Sequence, residues 1–263
     1  MNLSKISAGL RRDLALLEAL RSLEAHRKGG LGVNRIAEMT GREKSQVSRA
    51  LAGMKEEGLV DRDPTTLAYR CGWRLYALAA STLEARLTQS AAPFLQRLAS
   101  ELHETVYLCV LRDRNVVIAS AVSARRGRSR GLWEGDTLPV IKTSSGRALV
   151  AEWDKGSIES LFCGGEAVHS IPFESFMSDV QYVRERGYSI LHGEPSERFI
   201  GVSSPIKDYR NGIIACVMVV TENSTVSERV GAVARLTLRC ATQISRSLGY
   251  AAVGRGRYGD ASV

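Results

Sequence analysis

Side chains that donate hydrogen bonds or carry positive charge are concentrated in the segment VNRIAEMTGREKSQVSRALAGMKEEGLV, residues 33–60. Between Glu43 and Glu56 no acidic residue interrupts them: Lys44, Ser45, Gln46, Ser48, Arg49 and Lys55. In a helix they fall on the face opposite an apolar stripe, where they stay available to a partner. Arginine, glutamine and serine can hydrogen-bond base edges, and cationic groups can bind phosphates. The chemistry expected of this face is recognition of double-stranded operator DNA.

Two helical patterns joined at Gly41 would position this face. The first has one apolar side, and the second repeats apolar residues at i, i+3, i+4 and i+7: Val33, Ile36 and Ala37, then Val47, Ala50, Leu51 and Met54. Two helices joined by a glycine-containing turn form a helix-turn-helix, whose second helix can enter the major groove. Gly58 ends that helix, and short strands at 59–62 and 67–70 around Asp63-Pro64 predict a wing.

The charge distribution favours the same interpretation. Residues 1–80 hold 4 Lys and 10 Arg against 9 Asp and Glu, so a net +5 of the total +8 lies in under a third of the chain. Such a basic region is typical of a protein that binds a polyanion. We expect Ser45, Gln46 and Arg49 to reach base edges. Phosphate contacts are expected from four cations: Arg35, Lys44, Lys55 and Arg62. The alternative is a three-helix bundle used for packing or protein contact.

The composition defines the broad class of protein. With 263 residues, 44% hydrophobic and 24% charged, the chain suits two globular domains. No apolar run reaches the roughly 18 residues of a membrane span, so no membrane partner is expected. Five widely spaced cysteines and four scattered histidines show no metal-ligand spacing, and no cofactor is predicted. The first twenty residues predict a helix rather than a signal peptide, which favours a cytoplasmic protein with reduced cysteines.

After the wing, apolar residues step by 3, 4, 3 and 4 along one helical pattern: Trp73, Tyr76, Ala80, Leu83 and Leu87. This heptad-like seam can pack against a second copy, which predicts a homodimer or a dimer of dimers. The alternative is a helix that packs on its own domain. A domain boundary is therefore expected near residue 72. Pro93 is expected to start a further helix, and one earlier helix is expected over 11–26.

The second half of the chain alternates strands and helices. Apolar runs at 105–111 and 116–122 flank one turn, and runs at 202–206 and 213–220 flank another that ends in Asn211-Gly212, so two hairpins are expected. Helices are predicted near 146–152, 157–162, 174–186 and 226–248. Antiparallel strands with helices on a face make an α+β domain, and the covered face can shelter a small molecule.

The order of these pieces resembles the IclR family of bacterial transcription regulators. The resemblance rests on IAEMTGREKSQVSRAL at 36–51, GDTLPVIKTSSGRALVAEW at 135–153, RERGYSILHGE at 184–194 and SSPIKDYRNG at 203–212. It implies an N-terminal winged helix-turn-helix, a linker helix and a GAF-like effector-binding domain, assembled as dimers or dimers of dimers. The expected limits are 1–72 for the DNA-binding domain, 73–250 for the linker helix and effector-binding domain, and 251–263 for a disordered tail.

A second candidate site is the segment Thr143-Ser144-Ser145-Gly146 before a helix. Its hydroxyls and amides would meet at a positive helix terminus, which suits a carboxylate, unless Ser144 and Ser145 only cap the helix. The resemblance places an effector pocket on this segment and on the strands opposite. Its apolar walls would be Leu132, Trp133, Leu138, Val140, Ile141, Phe199, Met218 and Val220. Its mouth or floor would contain Leu191, His192, Glu194, Gly201 and Ser203. The expected effector is a small organic acid, aromatic or otherwise partly apolar.

Other features favour different classes of protein less well. A second basic cluster at Arg125, Arg126, Arg128 and Arg130 is interpreted as a solvated loop, with subunit contact or anion capture as the alternative. The chain has no Gly-x-Ser-x-Gly elbow and no phosphate-binding Gly-Lys-Ser/Thr loop, and the glycines at 254, 256 and 259 lack the strand and helix that a dinucleotide site needs. An enzyme is therefore not expected. A ligand sensor that acts through protein contacts is the main alternative to a ligand-responsive DNA-binding regulator.

Overall fold

The computed structural model describes residues 3–80, 83–123, 132–163, 171–193, 198–222 and 227–250. The chain divides into two compact units, Met1–Ala85 and Arg86–Val263. The predicted tail at 251–263, the basic cluster at 125–130 and Glu194 lie outside the described residues. Within the described residues, no helix has both the length and the apolar character that crossing a bilayer requires.

The N-terminal unit begins with four helices: α1 Leu3–Arg21, α2 Leu23–Lys28, α3 Val33–Thr40 and α4 Lys44–Glu56. The prediction of one helix over 11–26 is wrong, because the backbone is extended at Ser22. The Ser22 hydroxyl accepts a hydrogen bond from the Ala25 N–H and so starts a new helix. The helix-turn-helix is confirmed. Gly41 between α3 and α4 has a φ of +61°, a conformation that glycine adopts at little cost.

A small apolar core holds this unit together. The apolar sides of α3 and α4 lie inside that core, where Ile36, Val47, Leu51 and Met54 are all buried. Leu16 of α1 and Val60, which follows α4, are buried with them. The wing strands are β1 Val60–Arg62 and β2 Tyr69–Cys71, paired so that Arg62 lies opposite Tyr69. The second strand therefore starts two residues later than predicted, and residues 63–68 form the tip.

The connector consists of α5 Trp73–Ala80 and α6 Leu83–Leu102. The prediction that Pro93 starts a helix is wrong, because α6 continues through it. Proline removes one backbone donor and is unfavourable inside a helix. Here Leu87, Ala91, Leu95 and Leu98 are buried in one apolar cluster. Burial of this long face outweighs the local cost of the proline.

The C-terminal unit is built on a six-stranded antiparallel sheet in the order β5-β4-β3-β8-β7-β6. The strands are β3 Thr105–Arg112, β4 Asn115–Ser123, β5 Thr137–Pro139, β6 Ser189–His192, β7 Phe199–Lys207 and β8 Ile213–Glu222. The helices are a 3-10 turn Val140–Lys142, α7 Ser144–Leu149, α8 Lys155–Phe162, α9 Phe173–Arg186 and α10 Ser227–Ser247. Both predicted hairpins and the α+β class are confirmed.

The two faces of the sheet contribute to different cores. Val106, Val202 and Val217 pack in a cluster with residues of α6 and α10. Their neighbours along the strands, such as Tyr107, Cys216 and Met218, pack in a second cluster with residues of the 3-10 turn, α7, α8 and α9. This alternation is expected because successive side chains of a strand point to opposite faces. The segment from 140 to 149 therefore lies on a covered face of the sheet.

Candidate DNA-binding and effector sites

The outer face of α4 is open to solvent. Val47, Leu51 and Met54 are buried, whereas the predicted DNA contacts on the same helix are exposed: Lys44, Ser45, Gln46, Ser48, Arg49 and Lys55. Glu43 precedes the helix with an extended backbone, and its carboxylate accepts a hydrogen bond from the Ser45 hydroxyl at 2.7 Å. The Arg49 Nε donates to the Ser45 carbonyl at 3.4 Å. These local bonds orient donors on the first two turns, the part of a recognition helix that reaches base edges.

Arg35 differs from the other predicted phosphate contacts. Its guanidinium forms ion pairs with Glu24 at 2.8 Å and with Glu38 at 2.7 Å. Hydrogen bonds from Arg35, and then from Lys28, lower the pKa of the Glu24 carboxyl to about 2. Arg35 is thus engaged with carboxylates that join α2 to α3, and the structure does not group it with the exposed cations of α4.

Lys55 and Arg62 line a surface groove of about 520 Å³ between the end of α4, the wing and α5. The Arg62 guanidinium lies over the Tyr69 ring, 5.3 Å from its centroid, and its Nε donates to the Leu67 carbonyl at 3.4 Å. Arg62 therefore both fixes the wing and leaves a cation at its exposed edge.

In the C-terminal unit, the residue that caps α7 is Thr143. Its hydroxyl accepts a hydrogen bond from the Gly146 N–H at 2.9 Å, so capping by Ser144 and Ser145 is not what the structure shows. Ser144 Oγ instead lies 2.8 Å from Ser203 Oγ on β7. Ser145 Oγ is enclosed and has no hydrogen-bond partner among the described residues. A buried hydroxyl without a partner is uncommon in a folded core and indicates a place for a polar group.

The sheet register brings most of the predicted strand residues to the face that α7 covers. Ser203 lies opposite Met218, and Gly201 lies opposite both Leu191 and Val220. Phe199, two residues before Gly201, packs at the edge of the same apolar cluster. His192 does not join them, because it pairs with Ile200, which belongs to the cluster on the other face. An alternating strand cannot give both Leu191 and His192 to one face.

The segment before α7 supplies the other wall. Val140 and Ile141 are buried in the same cluster as Met218 and Val220, and Leu138 packs at its edge. Trp133 is half-exposed, and its backbone N–H donates to the Asp136 carboxylate at 2.7 Å. The ring is therefore held near a turn rather than enclosed in the core.

Sequence reasoning missed Arg147, although this residue belongs to the motif that carries the family resemblance. Its side chain is only 2% exposed. It donates to the Asp179 carboxylate at 2.7 Å and to the Thr143 carbonyl at 2.9 Å, and it lies over the Phe176 ring. Arg147 thus ties the segment before α7 to α9. The one available signal was a cation between apolar residues in a helix, which spacing alone assigns to the surface.

Both units of the chain match known protein families. A family described as "IclR helix-turn-helix domain" matches residues 9–64, and one described as "Bacterial transcriptional regulator IclR C-terminal" matches residues 79–246. The Mycobacterium tuberculosis HTH-type transcriptional regulator Rv1719 is 35% identical over 146 residues, which is 55% of each protein. The Escherichia coli HTH-type transcriptional regulator XynR is 26% identical over 84% of this chain and 91% of its own length.

Solved structures share the fold over nearly the whole chain. An IclR homologue from Microbacterium hydrocarbonoxydans, crystallised with 4-hydroxybenzoate, superposes with a TM-score of 0.75 at 22% identity. That superposition covers 91% of this chain and 98% of the homologue. Because the helix-turn-helix and the sheet domain each match their own family description, the chain is a DNA-binding transcription regulator that belongs to the IclR family.

Proposed function

We propose that two copies of the chain bind a palindromic operator through α4, and that a small organic acid bound beside Ser144 and Ser145 changes this affinity. The proposal depends on one observation: α4 buries its apolar side in the core and exposes its hydrogen-bond donors on the opposite side. Binding of an effector can alter DNA affinity if it stabilises one arrangement of the paired recognition helices over another. We propose the cytoplasm as the location, residues 1–72 as the DNA-binding domain and 73–250 as the linker and effector-binding domain.

The roles on DNA follow from side-chain chemistry. Ser45, Gln46 and Arg49 are assigned to base edges, with Ser48 beside them on the same exposed face. Lys44, Lys55 and Arg62 are assigned to phosphates. Arg35 is assigned a positioning role, because two carboxylates already occupy its guanidinium and would have to be displaced by a phosphate.

Arg49→Ala and Lys55→Ala should weaken DNA binding in different ways. Loss of a base-reading arginine should cost about 1–3 kcal/mol on the operator and relax specificity, whereas loss of a phosphate contact should weaken all sequences alike. Fluorescence anisotropy with operator and random DNA, at several salt concentrations, separates the two outcomes. Equal, sequence-independent losses for both variants would contradict the role of Arg49. Binding to no DNA at all would favour a sensor that acts through protein contacts.

For the effector, we propose an aromatic or partly apolar acid with its carboxylate toward Ser144 and Ser145 and its body against Leu138, Phe199 and Met218. The enclosed Ser145 hydroxyl supports the polar end, and the apolar cluster around it supports the body. The Microbacterium hydrocarbonoxydans homologue, crystallised with 4-hydroxybenzoate, supports this chemical class. Most of the affinity should come from apolar burial, at roughly 25 cal/mol per Å².

Ser145→Ala should weaken binding of aromatic acids by roughly tenfold, because a hydrogen bond to a charged group contributes about 1.5–3 kcal/mol. The neutral amides of these acids should lose less affinity for the variant. Calorimetry with matched acid and amide pairs measures the difference. Ser204→Ala is the control. Ser204 follows Ser203 in β7 and is also buried, but its hydroxyl already donates to the Gly187 carbonyl at 2.7 Å. Equal effects of the two variants on the acids would argue against the proposed anchor.

Self-association is the third part of the proposal. Leu87, the last residue of the predicted seam, is instead buried in the core of the C-terminal unit. Trp73 and Tyr76, adjacent positions of the seam on α5, are 69% and 79% exposed in the single chain. Exposed aromatic residues at helical spacing are typical of an interface. A dimer would place two recognition helices about 34–36 Å apart on successive turns of one DNA face.

Tyr76→Glu should shift the protein toward monomer, because a carboxylate would have to be buried in the interface. Light scattering at micromolar concentration reports the mass. Tyr209→Glu is the matched control, since Tyr209 is also largely open to solvent, at 66% exposed, but lies in the turn between β7 and β8. A wild-type protein that is monomeric under these conditions would rule out the proposed assembly.

A further inference from the structure

The wing tip, residues 63–68, contains an apolar residue in a conformation that L-residues avoid. Leu67 has a φ of +58° and its side chain is 52% exposed. The left-handed region brings the Cβ atom close to the following carbonyl oxygen, so this position usually belongs to glycine or asparagine. Because Leu67 is exposed, burial within the chain does not compensate for the strain.

Hydrogen bonds within the tip impose this conformation. The Leu67 N–H donates to the Asp63 carbonyl at 3.0 Å, and the Asp63 N–H donates to the Ala68 carbonyl at 2.9 Å. The Asp63 carboxylate accepts from the N–H groups of Thr65 and Thr66 at 2.9 and 2.8 Å. These bonds lower the pKa of Asp63. The tip is therefore a preorganised loop rather than a flexible one.

The other described residues with positive φ outside glycine are His103, Asp113 and Asn211. His103 directly follows α6, whereas Asp113 and Asn211 occupy the β3–β4 and β7–β8 turns. Asp and Asn tolerate this region because their short polar side chains can bond nearby backbone groups. Leu67 has no such compensation. Strained residues of this kind cluster at functional sites, where the surrounding structure holds them in place.

We infer that Leu67 is an apolar wedge that enters the DNA minor groove beside the base pairs contacted by α4. This inference rests on the DNA-binding function. DNA is favoured as the partner because Arg62 and Arg70, on the two wing strands, are exposed cations. Arg70 forms only a long, exposed ion pair with Asp61 at 3.9 Å, which a flanking phosphate can replace. Leucine is among the residues that proteins insert between minor-groove base steps, where its methyl groups contact deoxyribose and exposed base surface. Leu67 would thus add specificity for DNA sequences whose base steps open and bend at a low energetic cost.

The test compares stability with DNA affinity in the full-length chain. Leu67→Gly and Leu67→Asn both relieve the strain and should raise the midpoint of thermal unfolding of the N-terminal unit by about 2–4 °C. Both should lower affinity for operator DNA about tenfold, because the apolar contact is lost. Leu67→Met keeps the apolar contact and the strain, so its affinity should stay within about twofold of the wild type. Asn211→Gly is the matched control and should leave DNA affinity unchanged.

Hydroxyl-radical footprinting gives a readout on the DNA itself. Wild-type protein should protect deoxyriboses that line the minor groove next to each half-site, and Leu67→Gly should lose this protection while the rest of the footprint stays unchanged. If wild-type protein binds DNA and Leu67→Gly binds equally well with the same footprint, the inference is wrong and the wing tip has another role. If Leu67→Gly is no more stable than the wild type, Leu67 is not strained and the inference loses its basis. Failure of wild-type protein to bind any DNA would instead overturn the proposed function.

Discussion

Gly146→Ala is expected to cost the C-terminal unit about 3 kcal/mol or more, because there is no space for a side chain at this position. A Cβ atom on Gly146 would overlap the Val140 carbonyl and would lie 2.7 Å from its carbon. Both groups are backbone, so the contact can be relieved only by moving the 3-10 turn away from α7. That movement would also displace Ser144 and Ser145. Denaturant unfolding followed by circular dichroism measures the loss.

Gly231→Ala is the matched control for this change. Gly231 lies inside α10, and its closest neighbour to an added Cβ would be the flexible Arg235 guanidinium at 3.6 Å. Alanine should therefore stabilise that helix by about 0.5–1 kcal/mol. If Gly146→Ala folds with wild-type stability, there is room for a side chain between α7 and Val140, which contradicts the close approach of the two backbones.

Asp179→Ala is expected to have the second largest effect, about 2 kcal/mol or more. Removal of one partner of a buried ion pair leaves the other charge uncompensated and costs about 3–5 kcal/mol. Arg147 is almost fully buried, but the Asp179 side chain is 41% exposed, so water can replace part of the lost interaction. The expected loss is correspondingly smaller. Because Arg147 also donates to the Thr143 carbonyl, effector affinity should fall together with stability.

The exposed pair Arg239–Glu101 provides the comparison. Its N···O distance is 2.8 Å, close to that of Arg147–Asp179, but both side chains are open to solvent. Glu101→Ala should cost less than about 1 kcal/mol. Repeating Asp179→Ala in an Arg147→Met background should remove most of its effect, because no buried charge then remains. An undiminished effect in that background would show that Asp179 acts independently of Arg147.

Local patterns predicted much of the fold. The spacing of Val47, Leu51 and Met54 fixes one buried side of α4, and Gly41 permits the turn before it. Both hairpins were predictable because apolar runs end at turn-forming residues such as Asn211-Gly212. The break at Ser22 and the passage of α6 through Pro93 were not predictable from the sequence. Each depends on whether a local conformational preference or packing against distant residues contributes more to the stability of the helix.

Site residues that follow from a local sequence pattern were predicted, whereas those that depend on contacts between distant segments were not. Exposure of the α4 donors follows from its periodicity, so these residues could be identified from sequence. The contact between Ser144 and Ser203 joins residues 59 positions apart, and only the sheet register brings them together. Arg147 was not identified from the sequence, because its partner Asp179 lies on a different helix. His192 was grouped with Leu191 because strand β6, and hence the alternation of its faces, was not predicted.

Titration of the full-length chain onto fluorescent DNA from upstream of its own coding sequence, with and without 4-hydroxybenzoate and related aromatic acids, measures whether an effector changes DNA affinity. We expect specific binding to that DNA and a change in apparent Kd of about fivefold or more with at least one acid, in either direction. Ser145→Ala should bind DNA normally but respond to that acid only at higher concentration. DNA binding that no acid changes, or the same acid response in Ser145→Ala as in wild-type protein, would contradict the proposed function.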